Sequence, residues 1–225
     1  MRHKEQIVDG FNMIIGLLRS SRGDPDAWEA SIRKFEFQDR AHPLRQGEIV
    51  FVGSSSFALW ARMEQDMAPL PVLNRGFGGS RIRDVVHYAD RIVLPHRPKA
   101  VVLYAGTNNI SWPRPADAKQ VFEGYLAFVR QINEALPETS IYYVSISPAP
   151  SRWRYWPIVQ EANHLIQEHT QTDPRLHFID LTSAILGPDG KPDRSLFRFD
   201  GLHPNRRGYA RWTAVIKPVL EAATN

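Results

Sequence analysis

The sequence predicts an α/β fold of three layers, in which a five-stranded parallel sheet carries helices on both faces. Short apolar segments rich in β-branched residues alternate with segments of helical period, which is typical of such folds. The apolar segments suit strands covered on both faces. The predicted strands cover residues 48–53, 70–75, 99–105, 140–147 and 176–180, and the predicted helices cover residues 57–67, 81–94, 117–135, 154–170 and 205–222.

The alternation of strands and helices also predicts where a ligand would bind. Parallel strands joined through helices have right-handed connections, which gives a flavodoxin-like α/β/α sandwich. In such folds, ligands bind outside the carboxyl ends of the strands. The loops that follow the strands are therefore the places to look for chemistry.

The N-terminal part predicts helices that precede this sandwich. Residues 4–20 have an amphipathic helical pattern, and a second helix is expected after Asp24, with Trp28, Ile32 and Phe35 on one face. We therefore divide the chain into an N-terminal helical extension, 1–40, and the domain that forms the sandwich, 41–225. The first helix is a candidate homo-oligomer interface, although packing onto its own domain explains its pattern equally well.

Composition limits the function classes. The 225 residues include no cysteine, which excludes disulfides and cysteine nucleophiles, and the 28 Lys and Arg against 24 Asp and Glu are scattered, which does not indicate a nucleic-acid partner. No stretch approaches the about 20 apolar residues of a membrane span. The charged start of the chain lacks the pattern of a secretory signal, which leads us to expect a cytoplasmic location.

Three predicted strand ends carry groups suited to acyl transfer. The first strand runs into Gly53-Ser54-Ser55-Ser56, where the serines are either turn residues or a nucleophile. The second runs into a glycine-rich loop, 74–81, whose backbone N–H groups can approach a ligand closely. This loop has Arg81 where a dinucleotide site needs its third glycine. The third strand is followed by Asn108, whose amide can donate to an oxyanion.

A fourth loop, before the last predicted helix, contains Asp200 and His203. A carboxylate next to an imidazole fixes its tautomer and stabilises its protonated form, although the same pair can also be a helix cap, a surface pair or part of a metal site. Together, the four loops supply a serine, backbone donors, a carboxamide and an Asp–His pair. That combination favours a serine hydrolase.

Over about residues 45–222 the chain resembles the SGNH (GDSL-like) hydrolases. The resemblance rests on four blocks of sequence: Phe51-Val52-Gly53-Ser54-Ser55-Ser56, Asn74 to Ser80, Gly106-Thr107-Asn108-Asn109 and Asp200-Gly201-Leu202-His203-Pro204.

This resemblance implies a role for individual residues. It implies Ser55 as the nucleophile, His203 as the base and Asp200 as its orienter, with an oxyanion hole made by the N–H groups of Ser55 and Gly79 and the amide of Asn108. Three positions depart from the family pattern: Gly-Asp-Ser-Leu reads Gly-Ser-Ser-Ser, which changes positions 54 and 56, and Asn109 stands where the family often has Asp. None of these positions belongs to the implied catalytic set, but Ser54 and Ser56 remain alternatives to Ser55, and Gly78 to Gly79.

The expected activity is hydrolysis of small carboxylic esters, acyl or acetyl, without a metal or an organic cofactor. The alternatives are an acyltransferase with the same triad and a non-catalytic module that binds an anion or a sugar. Further candidates for substrate contact are Ser54, Gly78, Trp112, Arg152 and Trp153. The aromatic and arginine side chains can stack a sugar or hold an anion, or they can simply pack the start of a helix.

Overall fold

Five parallel strands form one sheet in the order β2-β1-β3-β4-β5. The structure is a computed structural model that describes residues 16, 19–20, 24, 26–41, 46–111 and 115–223. The strands are β1 (Ile49–Gly53), β2 (Val72–Gly76), β3 (Ala100–Tyr104), β4 (Ser140–Val144) and β5 (Leu176–Ile179). All five strands overlap the predicted segments, and the predicted three-layer α/β/α fold is confirmed.

Eight helices in the described residues surround this sheet. They are α1 (Glu29–Ala41), α2 (Ser55–Ala58), α3 (Met63–Met67), α4 (Ile82–Ile92), α5 (Ala118–Ala135), α6 (Trp156–Thr170), α7 (Thr182–Ile185) and α8 (Arg206–Ala222), with 3₁₀ turns at Leu94–His96, Pro150–Tyr155 and Arg194–Leu196. Because side chains alternate along a strand, β1 supplies both faces of the core. Val50 and Val52 pack with α1, α4, α5 and α6, while Ile49 and Phe51 pack with α2, α3, α7 and α8.

The single helix expected over residues 57–67 is wrong, because the chain forms α2 and α3 with a break between them. Trp60 lies in the break, where its ring stacks on Tyr209 with centroids 4.9 Å apart. Its Nε1 donates to Asp66 Oδ2 at 2.8 Å. A regular helix brings residues three and four apart together, not six. Aromatic packing against α8 has therefore overridden the helical pattern.

The N-terminal residues that the structure describes pack onto the sandwich. Trp28 and Ile32 are buried in the core cluster on the α4 side of the sheet, and Phe35 packs against that cluster. Ion pairs join α1 to the domain, including those of Arg91 with Glu29 and Glu36. Most of the helix expected over residues 4–20 lies outside the described residues. None of the described helices is long and apolar enough to cross a membrane.

Candidate active site

The carboxyl ends of three neighbouring strands, β2, β1 and β3, meet at one edge of the sheet. Gly53, the last residue of β1, is in register with Gly76 of β2 and Tyr104 of β3. The loops that follow these strands therefore leave the sheet side by side. The Phe77 N–H donates to the Gly53 carbonyl at 2.9 Å, and the Ser54 N–H donates to the Tyr104 carbonyl at 3.0 Å, which ties the three loops together.

A tight turn at Gly53 places Ser55 at the start of α2. Gly53 has φ 149°, and a Cβ there would lie 2.0 Å from the Tyr104 carbonyl oxygen, so that only glycine fits. Ser54 is extended and is the residue before the helix. Two donors from distant elements hold the short helix, since Asn74 Nδ2 binds the Phe57 carbonyl at 2.8 Å and Tyr209 Oη binds the Ser56 carbonyl at 2.8 Å.

The loop before α8 supplies the Asp–His pair. Asp200 Oδ1 accepts from the backbone N–H groups of Leu202 and His203 at 2.8 and 3.0 Å, and Asp200 Oδ2 lies 2.7 Å from His203 Nδ1. Gly201 adopts φ 62° between them. Asn205 then caps α8, because its side-chain oxygen accepts from the N–H groups of Arg207 and Gly208.

The two loops meet at a hydrogen bond between Ser55 and His203. His203 Nε2 lies 2.8 Å from Ser55 Oγ. Because an ionised carboxylate only accepts hydrogen bonds, His203 Nδ1 must carry the proton shared with Asp200, which leaves Nε2 free to accept from the serine hydroxyl. Ser55 is therefore the serine that contacts the imidazole; Ser54 and Ser56 are also buried, and neither forms a hydrogen bond with His203.

Hydrogen bonding keeps Asp200 ionised. Its partial burial, the largest single influence, raises the pKa of Asp200, but the hydrogen bonds from the His203 ring and from the backbone N–H groups of His203 and Leu202 together outweigh it. The net effect is a pKa below the ordinary value of 3.8. Asp200 is therefore a carboxylate at neutral pH, as an orienting partner of an imidazole must be.

The predicted oxyanion donors lie on two loops that are bonded to each other. Asn108 Nδ2 donates to the Ser80 carbonyl at 3.0 Å, next to Gly79. Gly79 is buried and has φ 81°, while Gly78 is half-buried. An amide nitrogen has two N–H groups, so Asn108 can give one to Ser80 and keep the other for a ligand. The structure thus places Asn108 against the loop that carries both candidate glycines.

Among the departures from the family pattern, Asn109 occupies a structural position. Asn109 Oδ1 accepts from the N–H of Ile82, the first residue of α4, at 3.1 Å. This contact needs a side-chain oxygen, which Asn supplies as well as Asp does. Ser54 precedes α2 without a side-chain hydrogen bond to the helix. The sequence blocks did not indicate that Asn74, Tyr209 and Asn109 hold these loops. The one signal in the sequence was the polar residue Asn74 inside an otherwise apolar predicted strand.

A recess opens beside these loops, between the end of β3 and the end of β4. Its lining includes Thr107, Arg152, Trp153 and Trp156. Trp153 and Trp156 stack with ring centroids 5.6 Å apart at the start of α6. Two of the predicted contact residues, Arg152 and Trp153, therefore line this recess, whereas Trp112 lies outside the described residues. Within the described ranges, no group of three or more His, Asp or Glu side chains could hold a metal ion.

The chain belongs to the GDSL-like lipase/acylhydrolase family, whose family model matches residues 47–211. The sequence-based resemblance is thereby confirmed. Membership supports a hydrolase that acts on esters.

Individual relatives agree with this family. The chain is 31% identical over 175 residues to the platelet-activating factor acetylhydrolase IB subunit alpha1 of Pongo abelii. The aligned region covers 74% of this chain and 72% of the relative. The chain is 27% identical over 207 residues to the alpha2 subunit of Rattus norvegicus, which covers 89% and 84%. These are similarities of sequence to enzymes that carry those names.

Solved structures share the fold at lower identity. A GDSL-like lipase from Bacteroides thetaiotaomicron superposes with a TM-score of 0.72 at 20% identity, over 85% of this chain and 98% of that chain. A lipase/acylhydrolase from Enterococcus faecalis superposes with a TM-score of 0.64 at 22% identity, over 79% and 97%. These likenesses establish the shared fold.

Proposed function

We propose that the chain is a serine esterase that hydrolyses small carboxylic esters, with Ser55 as nucleophile, His203 as general base and Asp200 as the group that orients His203. The observation that carries the proposal is the continuous hydrogen-bond chain from Asp200 through His203 to Ser55, with distances of 2.7 and 2.8 Å. A nucleophile, a base and an orienting carboxylate in hydrogen-bond contact are what acyl transfer requires. The acetylhydrolase names of the relatives favour acetyl esters among the substrates.

In the first half of the reaction, Ser55 Oγ attacks the carbonyl carbon while His203 Nε2 takes the hydroxyl proton. The carbonyl oxygen becomes an oxyanion, held by the backbone N–H groups of Ser55 and Gly79 and by the free N–H of Asn108. The tetrahedral intermediate then collapses, and the bond to the alcohol oxygen breaks. His203 gives its proton to that oxygen, so that the alcohol leaves neutral and an acyl-Ser55 ester remains.

In the second half, water attacks the acyl-Ser55 carbonyl and gives a proton to His203 Nε2. The same donors hold the second oxyanion. When the intermediate collapses, the carboxylic acid leaves and the proton returns from His203 to Ser55 Oγ. Ser55, His203 and Asp200 then have the protonation they started with. No group beyond these residues and water takes part in these steps.

Hydrolysis of p-nitrophenyl acetate by Ser55→Ala tests the proposal. We expect Ser55→Ala to lose at least about 10³-fold in kcat, because the nucleophile is gone. Ser54→Ala and Ser56→Ala are the matched controls, since each removes a neighbouring hydroxyl that does not contact His203, and they should retain most of the activity. Labelling with a fluorophosphonate, followed by mass spectrometry of the labelled peptide, should place the label on Ser55. Near wild-type hydrolysis by Ser55→Ala would overturn the assignment.

A separate measurement distinguishes a hydrolase from an acyltransferase. With an added acceptor alcohol, a hydrolase releases the free acid, whereas an acyltransferase forms the ester of that alcohol.

A further inference from the structure

The recess beside the proposed active site contains an arginine with an unusual environment. Arg152 lies in the 3₁₀ turn Pro150–Tyr155, and its Nε is buried without a hydrogen-bond partner. Among the described residues, no carboxylate forms an ion pair with its guanidinium. The side chain as a whole is half-buried, but a buried polar atom without a partner is rare in folded proteins. The Arg152 environment is therefore incomplete.

The pKa of Arg152 agrees with this description. Burial, the largest influence, lowers the pKa of Arg152 from its ordinary value; nearby Tyr155 opposes this, and the charge of Arg154 adds a smaller lowering. The opposite holds where an arginine has carboxylate partners, as Arg91 does with Glu29 and Glu36, whose hydrogen bonds raise its pKa. A bound anion would supply to Arg152 what the carboxylates supply to Arg91.

The recess is continuous with the loops of the proposed active site. Thr107 and Ile110, which flank Asn108 in the sequence, line it from the β3 side. On the other side, Ser151 donates to the Gly201 carbonyl through both its N–H and its hydroxyl, at 3.0 and 3.1 Å. Gly201 lies between Asp200 and His203. The turn that carries Arg152 is therefore fixed to the same loop that carries the proposed base.

The lining suits a small anion attached to a larger molecule. Thr107 and Ser147 provide hydroxyls, and the remaining lining is largely apolar, with Ile110, Ile146 and the rings of Trp153 and Trp156. An apolar recess with few polar groups excludes water and strengthens an ion contact within it. The two tryptophans stack on each other and are both partly exposed, and Trp156 also packs against the core.

We propose that Arg152 binds a negatively charged group, a carboxylate or a phosphate, on the ester substrate, so that this enzyme prefers anionic esters over neutral ones of the same shape. This inference rests on the proposed esterase function and adds the substrate class to it. A guanidinium fork matches the oxygens of either group, and its charge makes the contact stronger than a neutral hydrogen bond. Arg152 selects the substrate by its charge, whereas the proposed triad, Ser55, His203 and Asp200, cleaves the ester bond.

The test compares kcat/KM for matched pairs of esters. One pair places the charge on the alcohol part, as 4-acetoxybenzoate against 4-acetoxybenzamide. The other places it on the acyl part, as the p-nitrophenyl monoester of adipic acid against p-nitrophenyl hexanoate. We expect the wild-type protein to prefer the charged member of at least one pair, and Arg152→Gln to lose about 10- to 100-fold on that ester while changing little on its neutral partner. Arg152→Lys, which keeps the charge but not the fork, should restore part of the preference.

Arg154→Gln is the matched control. Arg154 is an exposed arginine two residues away that donates to the Tyr155 hydroxyl at 2.6 Å and lies over its ring. Its replacement removes the same charge from the same turn without touching the recess, and it should leave the preference intact. Loss of preference in both variants would show a general effect of charge and would overturn the assignment to Arg152.

The remaining outcomes separate this inference from the proposed function. If the neutral esters are hydrolysed through Ser55 but the preference is absent, or if Arg152→Gln slows both members of each pair equally, the anion site is wrong and the esterase stands. If no ester is hydrolysed, the esterase proposal fails, and calorimetric titration with 4-hydroxybenzoate against 4-hydroxybenzamide decides the anion site by itself. Binding of the benzoate that is lost in Arg152→Gln supports the site, and equal binding by both proteins overturns it.

Discussion

His203 Nε2 lies 2.8 Å from Ser55 Oγ, although 148 residues separate the two in the chain. Neither residue could make this contact without the parallel sheet, because Ser55 follows β1 and His203 precedes α8, which packs against the face of the sheet that Phe51 lines. The fold thus brings two distant loops together in one hydrogen-bonded pair. The predictions below concern what holds that pair in place and what surrounds it.

Asp200→Asn should lower kcat on the order of 10²–10⁴-fold without unfolding the protein. An Asn amide facing His203 Nδ1 donates rather than accepts, so the imidazole must place its proton on Nε2 and can no longer accept from Ser55. Hydrolysis of p-nitrophenyl acetate measures the loss, and circular dichroism reports the fold. Asp193→Asn is the control, because Asp193 caps the neighbouring 3₁₀ turn through the Ser195 N–H and makes no contact with His203. Equal losses in the two variants would contradict the role of Asp200.

Asn108→Ala and Asn109→Ala should have different effects, although the residues are adjacent. Asn108→Ala removes a proposed oxyanion donor and should cost about 10²–10³-fold in kcat. Asn109→Ala removes the acceptor for the Ile82 N–H and should lower the free energy of unfolding by about 0.5–2 kcal/mol. Steady-state kinetics and chemical denaturation of both variants check the contrast. Asn109→Asp keeps the oxygen and should retain the wild-type stability. A kinetic defect in Asn109→Ala as large as that in Asn108→Ala would contradict the separate roles of the two residues.

Gly53→Ala should destabilise the protein by about 3 kcal/mol or more, because the new Cβ meets the Tyr104 backbone, which cannot move aside as a flexible side chain could. Gly47→Ala is the matched control. Gly47 also has a positive φ, 77°, but nothing lies within 4 Å of its Cβ position, so its cost should be only the about 1–2 kcal/mol of left-handed backbone. Urea denaturation of both variants measures the difference. Similar losses of stability in the two variants would mean that the close approach of β1 and β3 does not exclude a side chain at Gly53.

The stability of the protein should fall on acidification partly because of His96. This side chain is buried, with its Nε2 3.4 Å from Asp39 Oδ2 and 3.5 Å from the Nη2 of Arg75. Burial and then the Arg75 charge lower the pKa of His96 below 6.5, against the opposing effect of Asp39. As the pH falls below about 6.5, His96 takes up a proton more readily in the unfolded chain than in the folded protein, so the free energy of unfolding decreases.

Denaturation between about pH 7 and about pH 5 measures this dependence on acidity. His96→Gln should show a smaller loss of stability over that interval than the wild-type protein, whatever its stability at neutral pH. The exposed His164→Gln serves as the control, since it removes a histidine without altering a buried site. An unchanged loss in His96→Gln would mean that other groups control the acid response.

The sequence predicted the strands well because each is a short apolar run that ends in a turn signal. Gly53 after Val52 is an example: its φ of 149° and its contact with Tyr104 require the glycine that marks the turn. The signals for the candidate site were equally local, since Ser55 and Asn108 follow predicted strands and Asp200 and His203 precede a predicted helix. Their proximity follows from the common edge of parallel strands.

Long-range packing limited the prediction elsewhere. The break between α2 and α3 depends on Tyr209 and Trp212, which lie about 150 residues away and stack or pack against Trp60. In the same way, no local pattern indicates that Asn74 and Tyr209 hold the carbonyls of Phe57 and Ser56. The single helix predicted over residues 57–67 followed the local pattern, and the aromatic partners from the far end of the chain broke it.

The position of the Asp200–His203 loop, directly before the last described helix, has a consequence for biosynthesis. A ribosome makes Ser55 long before His203, and Tyr209, which ties down the Ser56 carbonyl, comes later still. The serine therefore lacks its imidazole partner during most of translation. It meets that partner only when α8 docks on the sheet, so the proposed chemistry requires a chain synthesised through α8.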